Sequence, residues 1–107
     1  MAKYADAVKR SLRLIQVINP TQQVSASDMQ TGIEVLNSML TRWEADGVAL
    51  GWAPSIVPDD ELSVPDEAIE AVVYNLALRL CPEYGVEPMP VVVAGAQVGM
   101  AALERDI

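Results

Sequence analysis

The sequence predicts an all-α fold: a small four-helix bundle with a long projecting loop between its second and third helices. Three observations predict it. Apolar residues recur three and four positions apart in separate segments, which is the repeat of one helix face. Helix start and stop residues bracket those segments. Between the second and third lies a stretch too broken by proline and glycine for a helix, and long for a plain connection. At 107 residues the chain has the length of a single domain, 1–107.

The first helix, 3–18, places Tyr4, Val8, Leu12, Ile15 and Ile18 on one face, with Lys9 and Arg13 on another. Asn19-Pro20 stops it, because proline disfavours a helical conformation in the residue before it. The second helix, 26–46, opens with a capping box, either Ser27 with Gln30 or, one frame earlier, Ser25 with Asp28. Met29, Ile33, Leu36, Leu40 and Trp43 then form its stripe, with Met39 alongside. Gly32 is a mild cost within it or a site of close helix approach. Gly47 is placed to close the last turn at positive φ.

Residues 47–64 form the loop, with two short strands around Trp52 and Ile56 as a possible hairpin. Loops of this length commonly serve contact, gating or closure. Pro65-Asp66-Glu67 opens the third helix, 65–81, since proline suits the first helical position and acids suit the N-terminal dipole. Ile69, Val72, Val73, Leu76 and Leu80 form its apolar face, and Pro82 limits its end. Pro88 and Pro90 precede a last helix, 90–105. There Ala94, Gly95, Ala96, Gly99, Ala101 and Ala102 leave no bulky ridge, so another backbone can approach closely. Its two glycines are poor helix formers, so packing must hold it.

The composition is 51% apolar without a single Phe, so Leu, Val, Ile, Ala and Met fill the core and leave apolar surface for assembly. A net charge of −8 argues against a chain that wraps nucleic acid. That charge is unevenly spread. Lys3, Lys9, Arg10 and Arg13 cluster at the start, whereas no Lys or Arg occurs between Trp43 and Leu78. Acids accumulate there: Glu44, Asp46, Asp59, Asp60, Glu61, Asp66, Glu67 and Glu70. The pattern reads as two solvated faces of opposite sign, as a head-to-tail contact between copies, or as an acidic surface facing a polyanion that must not stick. Lys3, Lys9, Arg10, Arg13, Trp52, Asp59, Asp60, Glu61 and Arg105 are therefore the candidate assembly interface. The lone Cys81 allows no disulfide within the chain, which suits a reducing cytoplasm. The N-terminus lacks a signal-peptide pattern, and no apolar run reaches membrane-spanning length.

Without histidine and with one cysteine, a His/Cys metal site, a Ser-His-Asp triad and a Cys-His pair are excluded. No glycine-rich phosphate loop is present. Asp59-Asp60-Glu61 lacks calcium-loop spacing. Glu44 with Asp46, or Glu61 with Glu67, are carboxylate pairs for glycosidic hydrolysis. That chemistry needs one carboxyl in an apolar pocket and a second at a set distance, and the sequence shows neither. Cys81, with only Arg79 as a basic neighbour, reads as a small buried residue. Arg79 and Asn75 read as solvated, or as pins for the central loop. Trp43 continues the core stripe. Trp52 lies off any periodic face, as a loop anchor or a partner contact. No catalytic, cofactor-binding or metal site is expected.

Two blocks then carry a resemblance. The first is Leu36, Met39, Trp43, Asp46-Gly47, Gly51 and Trp52. The second is Ala68, Ala71, Val72, Asn75-Leu76-Ala77, Arg79, Pro82 and Tyr84. In order and spacing they resemble the head-to-tail adaptor family of tailed bacteriophages, and in particular the packaged-DNA-stabilising tail accessory factor of short-tailed phages. The resemblance covers most of residues 3–105.

The resemblance implies a non-enzymatic virion protein at the head–tail junction, made in the host cytoplasm and needing no cofactor. It implies a ring, commonly a dodecamer, below the portal. Such a ring extends the DNA channel, helps retain packaged DNA and gives a platform for tail attachment. The implied partners are further copies of the chain, the portal protein and the next tail component (stopper, nozzle or tail hub). Double-stranded DNA would pass without sequence-specific binding, and no membrane is involved. Some family members carry a long extension after the last helix that reaches the portal. This sequence ends at Ile107, so their portal-binding residues are not carried over, and portal docking is expected to use either another surface or only the short tail 104–107. The competing readings are a small carboxylate-dependent cell-wall hydrolase and an acidic helical regulator that binds a basic partner.

Overall fold

Four helices form where the apolar repeats lie. The computed structural model describes residues 2–19 and 21–106. It contains α1 (Tyr4–Leu14), α2 (Ala26–Ala45), α3 (Ile69–Tyr84) and α4 (Pro90–Asp106), with a single 3-10 turn at Asp66–Ala68 leading into α3. The fold is all-α. The possible hairpin around Trp52 and Ile56 is not formed. Among the described residues the only β-type pairing is an isolated bridge from Lys3 to Glu61.

Three of the helices end in the same way. Gln16, Gly47 and Gly85 take positive φ, at 62°, 94° and 64°. Each is followed by a valine whose N–H reaches back five residues: Val17 to the Leu12 carbonyl (3.0 Å), Val48 to Trp43 (2.8 Å) and Val86 to Cys81 (3.1 Å). This left-handed closure satisfies carbonyls that the helix end leaves open. It explains why α1 ends at Leu14, short of the expected Ile18. The chain turns at Gln16, and Ile15 and Ile18 still reach the core beyond the turn. Pro20 lies outside the described residues. Pro82, expected to limit the third helix, sits inside α3, which runs on to Tyr84. A proline this close to the end removes one hydrogen bond without displacing the turn that follows. At the start of α2, Ser25 is the cap, its Oγ accepting from the Asp28 N–H at 3.2 Å.

α3 is the hub. Val72, Val73, Leu76, Ala77 and Leu80 on it are all buried, beside Tyr4, Leu12, Leu36 and Met39 from α1 and α2. Full burial of each large side chain contributes about 1.5–3 kcal/mol. α1 is tied to α3 by the buried Ser11, whose Oγ lies 3.1 Å from the Val73 carbonyl and 2.8 Å from that of Ala7. It is packed against α2 where Gly32 leaves room for Val8.

α4 occupies the other side of α3. A Cβ on Gly99 would stand 2.8 Å from the Ala71 Cβ and 2.9 Å from its Cα, and Gly95 lies against the Tyr74 ring. Asn75 Nδ2 donates to the carbonyls of Ala71 (2.8 Å) and Ala96 (3.2 Å), joining the two helices. Residues two apart on a helix point roughly 200° apart, so Ala71 and Val73 face away from each other. α1 and α4 thus sit on opposite faces of the hub.

Candidate functional site

The candidate site is a set of surfaces built around the segment between α2 and α3. Gly47 turns the chain out of α2 and Gly51, at φ 73°, turns it again. In place of the expected projection, the segment is strapped to the bundle. Trp52 Nε1 donates to the Tyr4 hydroxyl (2.9 Å), which donates to the Ala53 carbonyl (3.0 Å). Asn37 Nδ2 on α2 donates to the Ser55 carbonyl (2.9 Å), and the Ala53 N–H donates to Ser63 Oγ (2.9 Å). Half-buried Trp52 is therefore a loop anchor.

The strap also caps α1. A helix leaves its first N–H groups without internal partners. Here the Tyr4 N–H donates to the Asp60 carbonyl (3.1 Å) and the Ala5 N–H to that of Pro58 (2.9 Å). The Leu62 N–H returns to the Ala2 carbonyl at 2.8 Å, and the Asp6 carboxylate accepts from the Lys3 N–H.

This geometry brings some of the expected interface residues together. Lys3 lies beside Asp59, Asp60 and Glu61 within one chain, at the N-terminus of α1, and Trp52 joins them through Tyr4. Ser55 donates to the Asp60 carboxylate. Lys9, Arg10 and Arg13 are carried away from this cluster along α1, with Arg10 and Arg13 exposed and Lys9 half-buried. Arg105 is exposed in the last turn of α4.

The residues that carried the resemblance mostly hold the fold. Leu36, Met39 and Trp43 are core. Asp46 accepts from Arg42 Nε at 3.2 Å, an exposed pair of small energetic weight. The Tyr84 hydroxyl donates to Asp28 Oδ1 (2.9 Å), tying the end of α3 to the start of α2. Burial, and then the bond to Asp28 and its charge, push Tyr84 up to about 12. Asn75 pins α4 and not the central loop. Arg79 is exposed and makes no hydrogen bond or ion pair among the described residues, so the loop has no pin there. Cys81 is buried, and burial pushes its thiol up, away from the thiolate that nucleophilic chemistry requires. Glu44, Asp46, Glu61 and Glu67 are all exposed.

Sequence reasoning missed Asn37 and the hydroxyl of Tyr4 as loop anchors. A signal for Asn37 existed. It lies on the same arc of α2 as Ile33 and Leu40, and a polar residue on an apolar arc needs a partner.

Two apolar grooves flank these elements. One, of about 470 Å³, runs between Leu50 and Ala68 on one wall and Gly95, Val98 and Gly99 on the other, with Glu67 and Glu70 lining it. The second, of about 390 Å³, lies between Met29 and Ile33 of α2 and the loop residues Ile56 and Pro58. Ile56 and Val98 are 81% and 70% exposed.

A comparison with protein families places the whole chain. The family model described as P22 tail accessory factor matches residues 3–107, nearly the whole chain. The chain belongs to this family. Membership assigns it to the structural proteins of a phage tail, hence to the virion and to association with other virion components. No described helix is long and apolar enough to cross a membrane.

Proposed function

We propose that the chain is a head-to-tail adaptor, a single domain whose copies form a ring below the portal, commonly a dodecamer. The ring extends the DNA channel, helps retain the packaged genome and gives the next tail component its platform. It does so without catalysing a reaction. The observation that carries this reading is the family match over residues 3–107. Two physical features support it. A charge of −8 per copy repels phosphates, so double-stranded DNA passes a ring of such subunits without being gripped. Exposed Ile56, Val57, Val91 and Val98 supply apolar contact area on a chain that has already filled its core.

The test is DNA retention. Phage made without this chain are expected to fill their heads and then lose the genome. Purified chain added to fresh filled heads is expected to stop the loss. Heads that hold their DNA equally well without the chain would remove the retention role.

A further inference from the structure

We infer that neighbouring copies join through Lys9 and Arg10 on α1 of one copy and the acid-lined groove between α3 and α4 of the next. The inference rests on the ring reading above and names the surfaces that close the ring.

Charge complementarity selects this pair. The side chains of Lys9 and Arg10 make no hydrogen bond or ion pair among the described residues, and neither do those of Glu67 and Glu70. Asp60 is held by Ser55, and its carbonyl caps α1. Among the acids of the central segment, Glu67 and Glu70 are the ones that line an apolar groove, beside Leu50, Ala68, Val98 and Gly99. Lysine and arginine fit such a surface in both respects. Their aliphatic stems cover apolar area while their charged ends reach an acidic rim. A charge pair sheltered in an interface is screened less than one on open surface.

Placement selects a ring over a pair. The basic residues lie on α1 and the groove lies on α4, on opposite faces of α3. Two copies facing each other cannot satisfy both patches at once. A head-to-tail contact uses one patch from each copy and leaves the other open for the next, which generates closed rings when the rotation allows.

Two charge-reversed forms test this, Lys9→Glu with Arg10→Glu and Glu67→Lys with Glu70→Lys, each purified as the full chain. Assembly on the portal complex is read by native mass spectrometry and sedimentation. Melting of the free subunits is followed alongside, with alanine at the same positions as a milder second set. Each reversed form alone is expected to need roughly tenfold more protein, or more, for half-assembly, because like charges then face each other. An equimolar mixture of the two is expected to assemble as the unaltered chain does, since every mixed contact again pairs opposite charges. Reversed forms that assemble normally, or a mixture that stays as defective as its parts, overturn this contact and leave the ring standing. An unaltered chain that stays monomeric on the portal overturns the ring and the contact together.

Discussion

At Gly99 one missing methyl sets how closely α4 lies on α3. The nearest neighbours of an added Cβ include the Ala71 backbone, which cannot swing aside as a flexible side chain would. Gly99→Ala is therefore expected to destabilise the chain by about 1–3 kcal/mol despite its better helix propensity. A lower urea midpoint at unchanged slope would show it, and an equal or higher midpoint would mean that α4 has room to shift. Tyr84 gives a second expectation at this scale. Its folded value, raised to about 12, means the neutral hydroxyl bound to Asp28 is favoured by folding. That contribution is complete below the ordinary value of 10.0 and is lost as pH rises through about 12. Stability of the natural chain should fall over that alkaline range more steeply than stability of Tyr84→Phe, and parallel curves would discount the bond. Some of these roles were readable in the sequence. Trp43 continued a clear stripe, and Gly47 followed a helix where a left-handed residue belongs. The Ala71–Gly99 contact was not readable, because α4's small residues announce a close approach without naming what approaches.

At the scale of elements, the shared closure of α1, α2 and α3 separates local from tertiary information. Two of the three closures use glycine, the residue that takes positive φ without strain. The third uses Gln16, at φ 62°, with buried Ile15 and Ile18 on either side. Nothing local marks that glutamine as a stop. The apolar repeat runs straight past it, so the sequence places the end at Ile18, and the packing of the two isoleucines ends the helix early. Gln16→Gly is expected to stabilise the chain by about 1 kcal/mol, the left-handed penalty removed. Thermal melting checks this, and a lower melting temperature would contradict it. The central segment shows the same division. Its glycines and prolines mark it as irregular, but its anchors Tyr4 and Asn37 come from distant helices, so a reading by spacing alone left it projecting.

For the whole molecule, chain order gave a basic start and an acidic middle, and the fold redistributes them. The strap returns residues 58–60 to their own α1, where the backbone carbonyls of Pro58 and Asp60 cap the helix beside Lys3. Glu67 and Glu70 stay open on the far side of α3, away from Lys9 and Arg10. Only the tertiary arrangement says which charges remain for a neighbour, because the pairing depends on which face of α3 each helix occupies. The two sequence blocks that resemble the family fall largely on the stop of α2 and the hub helix. They identify the scaffold more directly than its contacts. We propose that copies of this scaffold close into a ring on the portal. Electron images of the purified chain bound to the portal complex test it most directly. A closed ring of identical copies, coaxial with the portal and extending its channel, is the expected result, while isolated single copies or a portal with nothing below it would overturn the ring.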